Sequence, residues 1–164
     1  MSIELGLDVD RPVVIADWVR ATQEFLICLT NFADVPKIQM LRVVKGANTQ
    51  FCEKTIGTEE AVYSFSYVGR EDQVWITICF LDTSNVGNFA ISVENTYEPS
   101  EYALALSCAL ALARMANTQI QDAVGFWTGD INLGLSAIKN LLYVKINHNS
   151  YDEACANLLG NRLH

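Results

Sequence analysis

Apolar and polar residues alternate along Ile3–Val9 (IELGLDV), which predicts a first strand. The period then changes. Ile15, Trp18, Val19, Thr22, Phe25, Leu26 and Leu29 recur at helical spacing, with Asp17, Arg20, Gln23 and Glu24 largely on the opposite side. Pro12 suits a first helical turn, where its missing N–H costs nothing, and Asp10 stands near the expected cap. These signals predict a helix over about residues 12–32, ended by Pro36, and Ile38–Val44 (IQMLRVV) then reads as a strand.

Strand signals crowd the middle of the chain. In AVYSFSYV, Tyr63, Phe65 and Tyr67 share one face while Ser64 and Ser66 share the other. GRED (Gly69–Asp72) reads as a turn into QVWITICFL, which is apolar on both faces and so expected to be central. DTSNVG turns again into NFAISVEN, where Phe89, Ile91 and Val93 alternate with Asn88, Ala90, Ser92 and Glu94. The expectation is an antiparallel meander over about residues 61–95 with one distinctly polar face.

The segment Tyr102–Ala113 is almost pure Leu and Ala. Leucines alternating with alanines could suggest a strand, but no β-branched residue occurs and the segment is packed with the best helix formers, so a helix over about 99–116 is predicted. Ser107, Cys108 and Arg114 interrupt it, and no apolar run reaches the ~20 residues of a membrane span. The expectation is a helix roofing one sheet face. TQIQDAVGFW then reads as a strand. Two strand–helix–strand units, residues 3–44 and 88–124, hint at a degenerate repeat. The carboxy-terminal part reads as helical. Asp130 can cap a segment carrying Ile131, Leu135, Ile138 and Leu142; SYDE (Ser150–Glu153) has capping-box spacing, and Gly160 suits a stop. The whole predicts one α+β domain over residues 1–164, with a mainly antiparallel sheet packed by helices.

Charge narrows the function classes. Eleven basic against 19 acidic residues give a formal charge of -8, which disfavours direct contact with nucleic acid or anionic membranes and favours basic partners. The five cysteines are odd in number, form no CxxC and mostly sit in apolar runs, as small buried thiols do. With an amino terminus lacking a signal-peptide pattern, they point to a reducing cytoplasm.

The inventory for catalysis is thin. His148 lies in the polar run NHNS and His164 ends the chain; nothing around a cysteine marks it as activated, and no phosphate-loop, nucleophile-elbow or zinc spacing occurs. No catalytic residue, metal or cofactor is therefore assigned. The remaining candidates are for binding. If the meander is right, GRED and NTYEPSE emerge at one end of the sheet and gather Glu71, Asp72, Glu98 and Glu101, with Glu94 nearby, as a negative surface for a basic partner. Acidic residues in turns and at a helix start have a plainer account in solvation and the helix dipole. Trp75, among Ser64, Ser66, Thr77, Ser92 and Glu94 on the polar sheet face, has the character of an interface anchor, or equally of a residue covered by the carboxy-terminal helices.

The wording SVENTYEPSEYALALSCALALARMANTQIQDAVGFW resembles immunity proteins of bacterial polymorphic-toxin systems, including those of contact-dependent growth inhibition. Several such families share a strand, an Ala/Leu-rich helix and a following segment with isoleucine, aspartate, glycine and tryptophan at the positions of Ile120, Asp122, Gly125 and Trp127. The resemblance covers about a quarter of the chain, and no binding residue carries over from it. It implies a small, acidic, non-enzymatic cytoplasmic protein that binds and neutralises a cognate toxin domain, often a basic nuclease, with a monomer favoured; the candidate contacts Glu71, Asp72, Glu94, Glu98 and Trp75 come from the charge and sheet-face reading above. Two other readings stand beside it: an acidic secretion chaperone, expected as a dimer with hydrophobic grooves, and a small enzyme with a pocket of scattered residues.

Overall fold

A computed structural model describes residues 3–44, 47–50, 55–56, 61–80, 87–94, 98–127, 129, 131–133 and 148–160. The elements are β1 (Ile3–Val9), α1 (Ile15–Thr30), β2 (Ile38–Val44), β3 (Ala47–Gln50), β4 (Ala61–Tyr67), β5 (Gln73–Phe80), β6 (Gly87–Val93), α2 (Pro99–Ala116), β7 (Ile120–Asp122), β8 (Asn132–Leu133) and α3 (Tyr151–Leu159). The strands form one sheet in the order β3-β2-β4-β5-β6-β1-β7-β8, every pair antiparallel, with helices against one face. The α+β class and the β4–β5–β6 meander are as the residue pattern predicts.

The meander's alternation sorts the two faces. Tyr63, Phe65, Tyr67, Val74, Ile76, Ile78, Phe89, Ile91 and Val93 are buried on the helical side, joined by Ile3, Leu5, Leu7 and Val9 of β1. Trp18 of α1 inserts here, its ring 5.1 Å from Phe65 and 6.0 Å from Phe89, both edge-on. Its indole N–H finds a partner inside the core, donating 3.0 Å to the Cys108 carbonyl of α2.

The Leu/Ala helix is enclosed rather than merely laid on the sheet. Every residue from Ser100 to Ala113 is buried, because α2 meets β1, β5, β6 and β7 while also packing against α1 and α3. Alanines are what such a position requires, since small side chains let three kinds of neighbour approach at once. Ser107 is accommodated by donating 2.8 Å to the Ala103 carbonyl within its own helix.

Four expectations need correction. Helix α1 starts at Ile15 with Val14 at its N-cap, not near Asp10 and Pro12. The reason is a competing pairing: the Val13 carbonyl accepts from Ile56 N–H at 2.9 Å and Val14 bridges Thr55, which keeps the chain extended. The segment TQIQDAVGFW is a strand only over Ile120–Asp122. Beyond it the Asp122 carboxylate accepts the Trp127 N–H at 3.0 Å, and Gly125 takes φ 63°, so the chain turns. Residues Asn132 and Leu133, expected in a helix, instead pair with β7 as β8; Asp130, Leu135, Ile138 and Leu142 lie outside the described residues. Finally, Cys28 and Cys79 are exposed, while Cys108 and Cys155 are buried; Cys52 lies outside the described residues.

The two strand–helix–strand units are also unlike in space. β1 and β2 are separated by β4, β5 and β6, whereas β6 and β7 flank β1 alone.

Candidate interaction surface

The turn GRED and the approach to α2 do meet at one end of the sheet. Ser100 Oγ donates 2.9 Å to Asp72, and the Gln73 backbone N–H donates 3.1 Å to the Glu101 carboxylate. α3 joins them there, because the Arg70 guanidinium bridges Asp72 at 2.7 Å and Asp152 at 2.8 Å. Local sequence explains the last contact. Ser150 caps α3 by accepting the Glu153 N–H at 3.2 Å, and the Glu153 carboxylate reaches back to the Asn149 N–H at 2.8 Å. That cap places Asp152 in the first turn facing Arg70.

This geometry divides the carboxylates into two kinds. Asp72 is held by Arg70 and Ser100, and Glu101 is buried at the β5 start. Both fasten the turn to α2. Glu71, Glu94 and Glu98 are exposed, as are Asp152 and Glu153 of α3. Of the predicted contacts, Asp72 is therefore already spoken for within the chain, while Glu71, Glu94 and Glu98 remain at the rim. A separate buried chain of hydroxyls lies beneath: Tyr67 donates 2.8 Å to the Ser100 carbonyl and lies 2.6 Å from the Tyr151 hydroxyl.

Trp75 stands on the opposite face of the sheet from the helices. The register sets it across from Ser64 of β4 and Ser92 of β6, with Leu41 and Glu4 next along the same row. Val74, Ile76 and Ile78, its alternating neighbours, face the core. The anchor and the rim thus adjoin: Gln73 and Glu71 precede Trp75 on β5 and its turn, and Glu94 continues the outward alternation of β6 beyond Ser92.

An enzyme with a pocket of scattered residues needs a base or an activated nucleophile. His148 is half-buried, and its Nδ1 lies 3.1 Å from the Asn157 amide nitrogen. Cys155 packs instead against the Tyr151 hydroxyl, and burial pushes its thiol up to about 12, the opposite of an activated nucleophile. Cys108 is likewise raised by burial. Among the described residues no group of three or more His, Cys, Asp or Glu is placed to hold a metal ion, and no helix is long and apolar enough to cross a membrane.

Two clefts border α1. One of about 440 Å³ is lined by Arg11, Asp17, Arg20, Glu24 and Arg114, with the arginines paired to Asp10, Asp17 and Glu24. The other, about 560 Å³ and more apolar, runs between α1 and β2 past Ile15, Val19, Ile27, Ile38 and Met40. Neither was legible in the sequence, because each joins residues that are far apart in the chain or that were assigned to separate elements. Comparison with protein-family models, with curated proteins and with solved structures returns no match to this chain.

Proposed function

We propose that this chain is a non-enzymatic immunity protein, which binds a basic toxin domain in the bacterial cytoplasm and blocks it stoichiometrically. The observation that carries the reading is the rim of unengaged carboxylates, Glu71, Glu94 and Glu98, beside Trp75 on a chain of formal charge -8. Such a rim accelerates encounter with a cationic surface, while a desolvated aromatic sets the lifetime of the complex. The wording around Ile120, Asp122, Gly125 and Trp127 supports the same assignment by resemblance.

The experiment is capture of a partner from the native bacterium with this chain as bait, followed by co-expression of the captured protein's carboxy-terminal domain. Growth arrest by that domain alone, relieved by this chain at equimolar amounts, is the expected result. Triple replacement of Glu71, Glu94 and Glu98 by lysine should then slow association about 10-fold or more at low salt. A captured domain that is harmless alone, or whose toxicity this chain leaves untouched, rejects the function.

A second reading is favoured by the cleft between α1 and β2, whose apolar walls suit an extended hydrophobic segment. That is the character expected of a secretion chaperone. Capture of an effector's amino-terminal segment, rather than a carboxy-terminal toxin domain, selects it.

A further inference from the structure

The outward face of the sheet carries a row of side chains in strict register: Leu41 of β2, Ser64 of β4, Trp75 of β5, Ser92 of β6 and Glu4 of β1. Most of the face around the indole is built from short residues. Gly6, Ala90 and Thr77 form the neighbouring row, with the Gln121 side chain lying over Gly6. Trp75 is half-buried there, with Val62 and Thr77 exposed one row along, and its indole offers a planar contact.

Within the strands the charged groups on this face have one sign. By strand alternation the outward positions of β1, β2, β4, β5, β6 and β7 include Glu4 and Asp8 among the described residues, and no lysine or arginine. One residue past the strand ends, the same alternation adds Glu94 beside β1 and β6, and Lys37 at the distant β2. Glu4 and Asp8 are four residues apart on one strand, about 13 Å, and Asp8 is steadied by Asn88, whose amide donates to it at 3.0 Å. The cation nearest in sequence, Arg70, lies on the other side over the Tyr67 ring. A further sign of an incomplete environment is Ser64. Its hydroxyl is buried between Leu41 and Trp75 and has no hydrogen-bond partner, whereas buried hydroxyls are ordinarily satisfied.

We propose that this outward sheet face, centred on Trp75 and charged by Glu4, Asp8 and Glu94, is the docking surface for the basic partner protein. The inference rests on the binding reading above and moves its centre from the end of the sheet onto the face. The partner it fits presents lysine or arginine side chains around an apolar contact to the indole.

Trp75 supplies its own reporter. The other two tryptophans, Trp18 and Trp127, are 0% and 1% exposed, so quenching of fluorescence by acrylamide reads Trp75 almost alone. The probe is poly-L-lysine at low ionic strength, with poly-L-glutamate as control, followed in parallel by amide chemical-shift mapping of labelled protein. The expected result is that poly-L-lysine roughly halves the quenching constant and shifts Glu4, Asp8, Ser92 and Glu94, and that E4K/E94K removes both effects at unchanged melting temperature. Shifts confined to Glu71, Glu98, Asp152 and Glu153, with quenching unaltered, overturn the proposal in favour of the sheet end. Concentration-dependent dimerisation abolished by W75A overturns it in favour of a second copy of the chain. With a captured toxin in hand, neutralisation that survives E4K/E94K and W75A removes the surface and leaves the function. Failure to neutralise any toxin, with the cationic probe still seated on Trp75, removes the function and leaves the surface.

Discussion

The hydroxyl of Tyr67, at the end of β4, lies 2.6 Å from the hydroxyl of Tyr151, the first residue of α3, in a buried contact between residues 84 positions apart. Because Tyr67 gives its proton to the Ser100 carbonyl, Tyr151 must donate to Tyr67. Sheet, α2 and α3 are thereby tied at one point, immediately behind the acidic rim.

Tyr151→Phe removes the donor to Tyr67 together with the hydroxyl's contact to the Cys155 thiol and should destabilise by about 1 kcal/mol, whereas Tyr67→Phe leaves the buried Tyr151 hydroxyl with only the weaker sulfur acceptor and should cost about 1–3 kcal/mol. The double variant should lose less than the sum of the two. Urea denaturation of all four proteins checks this; strict additivity would mean that the two hydroxyls do not act as one unit.

Arg70 forms the outer half of the same junction, bridging Asp72 and Asp152 at partly exposed positions. Screening limits its worth, so Arg70→Ala should cost no more than about 1 kcal/mol globally. Its local effect should be larger. Amide exchange over Tyr151–Leu159 is expected to quicken several-fold, and high salt should reproduce the effect in the unmodified protein. Unchanged exchange in α3 would show that tyrosines and apolar packing alone hold it.

The buried thiols and phenol set an alkaline limit. Burial raises Cys155 to about 12 from an ordinary 9.0, and raises Cys108 and Tyr67 as well. Groups held above their unfolded values contribute stability fully below those values and lose it as pH climbs toward the folded ones. The urea midpoint should therefore fall from about pH 9 upward, and less steeply in Cys155→Ala. Identical alkaline slopes would remove Cys155 from the account. At pH 8, mass mapping after brief alkylation should find Cys28 and Cys79 modified and Cys108 and Cys155 spared.

Asp122 is buried, and one carboxylate oxygen accepts the Trp127 N–H while the other has no hydrogen-bond partner. Asp122→Ala strands that N–H and should cost about 1–3 kcal/mol. Asp122→Asn keeps the accepting oxygen and should cost clearly less. Gly125→Ala, at φ 63°, should cost roughly 1 kcal/mol through backbone strain. Equal losses in the alanine and asparagine variants, measured by thermal unfolding, would place the role of Asp122 in its charge.

These residues also mark how far the sequence reaches. β1, β2 and α2 were legible to the residue, because a period of two or a run of helix formers is local information and burial follows it. The Ser150 cap was legible for the same reason, since its partner is three residues away. The segment after Ile120 reads as a strand from its residues alone, because the bond from Trp127 N–H to Asp122 closes within a turn that no periodicity reports.

What the sequence by itself determined is therefore the α+β class, the meander, the polar outward face bearing Trp75, and the acidic balance. Tertiary structure alone decided that β1 enters between β6 and β7, which brings Glu4 and Asp8 beside Ser92 and Asn88. It also decided that Asp72 and Glu101 turn inward while Glu71, Glu94 and Glu98 stay in solvent. Strand order and carboxylate pairing depend on contacts between residues distant in the chain, such as Asp8 and Asn88, 80 positions apart. Local alternation fixes which face a side chain takes, and says nothing of which distant neighbour it will meet there.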